Sequence, residues 1–332
     1  MNGDARPLLS RVADSVYWMA RYIERAENVA RVIEVNLHLQ LDMPLTTANQ
    51  WQPLIDTTGD ADVFREKYGE ANPASVIQFL ARDASNSNSI VACLRGAREN
   101  ARSVRETISS EMWEQVNSMY LQWQARRDVV EPARLPEVFR EIRLGSHMFQ
   151  GITDATMSHT EAWHFVRLGR LMERADKTSR LLDVKYFMLL PSVNTVGTPY
   201  DDLHWAAVLK SVSGFEMYRK TFGRISPREI VQFLVLDADF PRAIRHSITG
   251  ADESLRAITG TPRGSFLFCS EQMLGLLRAE IDFTTIDRII LGGLHEYLDR
   301  LQQKLNEIGN ELRNDFFATE PAWTAAGTAG GR

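Results

Sequence analysis

The sequence predicts an all-α protein, an internally duplicated helical bundle built around two long buried helices. Three observations predict it. Apolar residues recur at a period near 3.6 through most of the chain. No convincing run alternates apolar and polar residues as a half-buried strand does. One charged helical motif also occurs twice: Arg21-x-x-Glu24-Arg25-Ala26-Glu27-x-x-x-Arg31 returns 149 residues later as Arg170-x-x-Glu173-Arg174-Ala175-Asp176-x-x-x-Arg180.

The first long helix is expected from Ser10 to about Leu41. Its apolar stripe runs through Val12, Val16, Met19, Ile23, Ala26, Ala30, Ile33 and Leu37, and Pro44 closes it. Its counterpart is expected to start at a capping box, Ser158-x-x-Glu161, and to run to about Leu190 before Pro191. At 1.5 Å per residue each spans roughly 45 Å, enough to cross a domain. Both carry apolar residues on more than one side, which predicts burial between other helices. Further helices are expected at about 89–108, 110–127, 136–150, 201–221, 239–258, 265–282 and 286–314.

Beyond the long helices the repeat continues at an offset of 154. Trp51 falls on Trp205, Gly69 on Gly223, Pro73 on Pro227, Gln78-Phe79-Leu80 on Gln232-Phe233-Leu234, Asp83 on Asp237 and Ile90 on Ile244. The change of offset puts five extra residues near Pro191–Pro199, a surface connection where an insertion is tolerated. The expected organisation is a first helical half at 1–150, a second half at 151–317 packed on it, and a disordered Ala/Gly/Thr-rich tail at 318–332.

The 332 residues are enough for a sizeable core, and 44% are hydrophobic against 24% charged, an ordinary soluble composition. A net charge of −5 argues against a general nucleic-acid binder. No apolar run reaches the roughly 20 residues of a membrane span. The N-terminus lacks a signal core, so the expected location is the cytoplasm. Cys93 and Cys269 have no CxxC or Cys/His spacing, so they are expected to be reduced, mostly buried thiols, and no metal is expected. No phosphate-binding glycine loop or nucleophile elbow occurs, and no cofactor is expected.

At 100° per residue Tyr17, Arg21, Glu24 and Asn28 share one face of the first long helix, flanked by Arg25 and Arg31. Arg170, Glu173 and Lys177, flanked by Arg174 and Arg180, share the matching face of the second. Two readings stay open. The ridges could form a buried salt-bridge network that fixes the packing of the halves. Alternatively they form an anion site, with guanidinium forks for a carboxylate or phosphate and glutamates that orient them. In the second reading, charge reversal at both glutamates is expected to abolish function while leaving the fold intact.

Other candidates have bland alternatives beside them. Arg95, Arg98, Arg102 and Arg105 line one helical face, yet Glu99 and Glu106 lie close enough to pair with them. His147, His159 and His164 with Glu161 could form a proton-transfer cluster, or serve in capping and packing. Asp83 and Asp237 are expected at helix ends, accepting backbone N–H groups. Nothing in the residues assigns a catalytic group.

The chain resembles the alpha-E domain family of predicted all-helical proteins named for a Glu-Arg motif. The resemblance rests on Ser10 to Glu27, on Leu168-Gly169-Arg170-Leu171-Met172-Glu173-Arg174-Ala175-Asp176, on Ala97-Arg98-Glu99-Asn100-Ala101-Arg102, and on Phe233-Leu234-x-x-Asp237-x-x-Phe240-Pro241-Arg242. It covers roughly residues 8–315. The resemblance implies association with circularly permuted ATP-grasp ligases and transglutaminase-like proteases. That association in turn implies a helical partner in an amide-bond-forming system, binding a small-molecule or peptide carboxylate. A stand-alone transferase or hydrolase, with Glu24 or Glu173 as base, and a non-catalytic scaffold are the alternatives.

Overall fold

The computed structural model describes residues 8–42, 51–56, 58–126, 134–189 and 199–318, and side chains at all of these except 41, 42, 184–189 and 199–201. Helices run α1 Ser10–Asp42, α2 Gln52–Asp56, α3 Ala61–Tyr68, α4 Pro73–Ile77, α5 Ile90–Ser103, α6 Ser110–Arg126, α7 Leu135–Thr156 and α8 Glu161–Leu189. They continue with α9 Pro199–Ser211, α10 Phe215–Phe222, α11 Pro227–Leu236, α12 Ile244–Thr259, α13 Cys269–Asp282, α14 Ile286–Leu291 and α15 Leu294–Leu312. Single π-helical turns extend α4 over Gln78–Arg82 and α15 over Arg313–Phe317. Among the described residues there is no strand.

The long helices α1 and α8 pack directly on each other at the centre. Around them the packing is paired. Helix α5 lies against α1 and α12 against α8; α7 flanks α1 and α15 flanks α8; α6 bridges α5 and α7, as α13 bridges α12 and α15. The short connecting helices cross over, with α9 packed on α1 and α2 on α8. Each long helix is therefore enclosed on several sides, and Met19, Ile23, Ala26, Ala30 and Ile33 are buried together with the charged residues between them.

Glycines set the closest approaches. A Cβ at Gly169 would stand 2.4 Å from the Tyr17 carbonyl oxygen, so α8 meets the α1 backbone there only because the side chain is missing. Gly96 of α5 sits under the Tyr22 ring, and Gly250 of α12 beside Leu171. Gly96 and Gly250 are related by the 154 offset, and Tyr22 and Leu171 by the 149 offset.

Several expected boundaries move, each for a local reason. The span 201–221 breaks after Ser211, where Ser213 takes φ 52° and Gly214 lies against Phe240 and Phe233. The span 286–314 breaks at Gly292–Gly293, Gly293 having φ 85°. Helix α12 begins at Ile244, after a turn in which Ala243 N–H bonds the Phe240 carbonyl. The expected capping box does not form: α8 starts at Glu161, and the Glu161 carboxylate accepts the Leu8 N–H at 3.0 Å instead. The expected closures at Pro44 and Pro191, the insertion near 191–198 and the tail at 319–332 lie outside the described residues.

Candidate functional site

The α1–α8 contact brings the two Arg/Glu motifs face to face. Arg25 grips Glu173 with two parallel bonds, Nε to Oε1 at 2.6 Å and Nη2 to Oε2 at 2.9 Å. Arg174 grips Glu24 in the same way, at 2.8 and 3.0 Å. These reciprocal forks join residues related by the repeat, and both glutamates are buried, at 0% and 1% exposure. Bidentate charge-assisted bonds are what allow carboxylates to remain ionised away from water.

Outside the forks the two ends differ. Arg21 donates through Nε to Glu173 at 2.8 Å, and its guanidinium lies over the Trp18 ring. Its counterpart Arg170 reaches no carboxylate among the described residues, where its buried Nε has no partner. Glu24 instead receives Arg242 Nη1 at 3.2 Å and Gln150 Nε2 at 3.3 Å. Arg242 also bridges to both oxygens of Glu27 at 2.9 Å, and Arg31 bonds Glu27 and Ser213. The loop carrying Arg242 is pinned to α8, because Arg174 donates to the Pro241 carbonyl and the Thr178 hydroxyl to the Arg242 carbonyl. With Glu27 and Arg31 at 0% exposure, this end is sealed.

At the Glu173 end the residue aligned with Arg242 is Asn88, whose Oδ1 accepts from Arg25 Nη1 at 3.0 Å. The shorter side chain leaves space. A cleft opens there, with a cavity of about 50 Å³ lined by Arg25, Asn28, Asn88, Lys177 and Arg180. Its apolar walls are Val29, Val32, Leu54, Leu80, Leu181 and Val212, and Thr58 and Ser211 complete it. Both members of three aligned pairs line it: Asn28 and Lys177, Val32 and Leu181, Thr58 and Val212. The cleft therefore lies where the packing of α1 on α8 brings the aligned stretches together.

The cleft is cationic. Arg21, Arg25, Lys177 and Arg180 gather around two carboxylates, Glu173 and Asp176. Arg180 bonds Asp176 through Nε alone, at 2.9 and 3.0 Å, and its two terminal nitrogens have no partner among the described residues. They are available to an anion.

Burial by itself would raise the Glu24 pKa, but Arg174 and Arg242 beside it bring it down to about 2. At Glu173 burial is likewise outweighed, by Arg25, Arg21 and Lys177, and its pKa falls well below the ordinary carboxylate range. Burial pushes His147 down to about 4, helped by Arg31 and Arg242. Burial with Arg242 and Arg143 pushes Arg31 down to about 9, so it stays charged at neutral pH.

The signs of these shifts predict an acid profile. His147 is neutral when folded, so its contribution is intact above its ordinary value and is lost as pH falls toward about 4. The contribution of Glu24 is intact above its ordinary value and is lost as pH falls toward about 2. Urea midpoints should therefore start to drop on mild acidification and keep dropping. His147→Gln should flatten the upper part of the slope, leaving there the share of His164, whose pKa burial also lowers. A midpoint independent of pH in the upper window contradicts the His147 assignment.

Of the remaining expected residues, only His147 touches the network, at its sealed end. His147 lies against Arg31 at 3.4 Å and Glu27 at 3.7 Å. His159 stacks on Trp163 at 4.1 Å, beyond the end of α7, and the His164 ring stands perpendicular to Trp163 at 5.0 Å. The helical stretch from His147 to Thr156 separates His147 from the other two, so no proton-transfer cluster forms. Arg98 bonds Asn117 at 2.7 Å and Glu99 at 3.0 Å and lies over Tyr120, while Arg102 pairs with Glu99 at 2.5 Å. Those two are paired locally, while Arg95 reaches the Ala84 carbonyl at 3.4 Å and Arg105 lies over the Trp113 ring. Asp83 and Asp237 do accept backbone N–H groups, from Ser85 and from Asp239 and Phe240. Cys93 is buried and its thiol is pushed up to about 12 by burial, but Cys269 is exposed, against expectation. Among the described residues no cluster could hold a metal ion, and no helix is long and apolar enough to cross a membrane.

Reasoning from sequence missed Arg242, Glu27, Asn88 and Gln150 as members of the network. The 154 offset pairs Asn88 with Arg242 and could have flagged them. Nothing local marks Gln150.

A family model described as a predicted alpha-helical domain with a conserved ER motif matches residues 8–317. An uncharacterized protein of Mycobacterium bovis is 23% identical over 276 residues, covering 77% of this chain and 30% of its own. Uncharacterized proteins of two Mycobacterium tuberculosis strains match to the same extent. The chain thus spans about 30% of the length of these curated relatives. No solved structure matches it.

Proposed function

The chain belongs to the Alpha-E family, and from that premise we propose that it is a helical binding module which captures a carboxylate- or phosphate-bearing group in the cleft between α1 and α8. It holds that group for an ATP-grasp-type amide ligase. The observation that carries this reading is Arg180, which lines a cleft where cations outnumber carboxylates and whose terminal nitrogens have no partner among the described residues. A ligase that forms an acyl phosphate needs its anionic partner oriented, and fixed guanidiniums supply orientation. The long mycobacterial relatives support a module that works beside other domains, since the matched stretch is under a third of each. The ligase, and a transglutaminase-like protease beside it, are partners taken from the family resemblance; the same reading places the module in the cytoplasm and its products among peptides.

A stand-alone hydrolase or transferase is less well supported. With pKa values depressed by two or more cations each, Glu24 and Glu173 are poor general bases near neutral pH. The scaffold reading has one observation in its favour, the sealed Glu24–Glu27–Arg31–Arg242 end. We assign that end to structure and the open end to binding.

Calorimetric titration with acetate and with inorganic phosphate tests the proposal. The wild-type chain should bind at least one, and Arg180→Gln should weaken it about tenfold or more, the loss of a charge-assisted hydrogen bond. Equal binding by both proteins would remove Arg180 from the site.

A further inference from the structure

We infer, resting on the reading of the cleft as an anion site, that its ligand is the terminal carboxylate of an N-acylated aliphatic amino acid, the C-terminus of a peptide, and not a free amino acid or inorganic phosphate. Size limits what enters: a cavity of about 50 Å³ holds a few water-sized groups, so it takes the carboxylate and its first carbons while the rest of the ligand lies along the open wall of the cleft.

Charge excludes the free amino acid. Its α-ammonium would enter among Arg25, Lys177 and Arg180. The carboxylates nearby, Glu173 and Asp176, are each already held by at least two cations. An acylated nitrogen carries no charge and still offers one N–H. Asn28 suits it: its Nδ2 donates to the Glu24 carbonyl at 2.8 Å, and its Oδ1 has no donor among the described residues.

The apolar half of the lining tells against phosphate. Val29, Leu54, Leu80 and Val212 offer no hydrogen bonds to replace the water that a tetrahedral anion would lose. They suit a branched aliphatic side chain. The carboxylate then lies on the two free nitrogens of Arg180, the amide N–H on Asn28, and the side chain on the apolar wall.

Calorimetry with the full chain tests this, using N-acetyl-L-leucine, L-leucine, N-acetyl-L-leucinamide and inorganic phosphate. N-acetyl-L-leucine should bind, with L-leucine and the amide each weaker by about tenfold or more, and phosphate should not compete. Arg180→Gln should lose the N-acetyl-L-leucine signal. Thr58→Trp, which fills the cleft without changing its charges, should lose it as well, so the proposal stays testable if the arginine variant folds poorly. Binding of L-leucine at equal strength, or competition by phosphate, overturns the peptide-terminus inference and leaves the anion site standing. Binding of the amide as strongly as the acid, or no binding by any probe, overturns both.

Discussion

Glu173→Gln is expected to destabilise the fold by about 3–5 kcal/mol, the loss seen when one partner of a buried ion network is removed. Glu173 accepts from Arg21 and from both arms of Arg25, and has Lys177 at 3.6 Å. The neutral amide leaves those cations in a buried site without a counter-charge. Since domains are stable by only about 5–15 kcal/mol, much of the margin would go. Glu24→Gln should act similarly by stranding Arg174, although Arg242 keeps Glu27. This corrects the expectation that charge reversal at the two glutamates would leave the fold intact. That expectation treated them as lining residues; they are enclosed, and a positive charge at either would face guanidiniums directly. Urea denaturation followed by circular dichroism reads the effect. Replacing Arg21, Arg25 and Glu173 together with apolar residues of similar volume should recover most of the loss. A Glu173→Gln protein within about 1 kcal/mol of wild type would mean the network does not hold the halves together.

Gly169→Ala should cost about 3 kcal/mol, at the upper end for overpacking. The added Cβ would meet backbone, the Tyr17 carbonyl oxygen at 2.4 Å, so relief requires moving α8 away from α1 and stretching both reciprocal forks. Gly151→Ala is the control. Gly151 sits on the exposed side of α7 with nothing within 4 Å of a new Cβ, so Gly151→Ala should gain about 0.5–1 kcal/mol from helix propensity. Opposite signs from one chemical change would locate the effect in the helix crossing. The same sign at both positions would show that the crossing tolerates the methyl group.

The pattern of residues made much of this architecture legible. The 3.6 period placed α1 and α8 within a few residues of their ends, and the paired motifs named Arg25, Glu173, Glu24 and Arg174, which the structure joins. Period alone could not locate the breaks at Ser213 and Gly293, because a left-handed residue inside a periodic stretch does not disturb the apolar stripe. Nor could it tell which arginines serve the central contact. Arg31 and Arg180 turn to acids on their own helices, Glu27 and Asp176, one turn away. Arg170 sits on the predicted face yet meets no carboxylate among the described residues, Arg242 having taken its place at Glu24. Arg242 comes from a loop far along the chain, and its approach depends on how α12 packs against α8. Whether a charged ridge is open or sealed is likewise a tertiary property: it turns on Asn88 at one end and Arg242 at the other.

Arginine side-chain NMR during titration with N-acetyl-L-leucine tests the central claim most directly, since it reads each guanidinium separately. The Nε–Hε and Nη resonances of Arg180 should shift with saturation, with smaller changes at Arg25. Those of Arg174 and Arg31, in the sealed end, should stay where they are. Shifts at Arg174 with none at Arg180, or no shift at any of the four, would contradict an open anion site between α1 and α8.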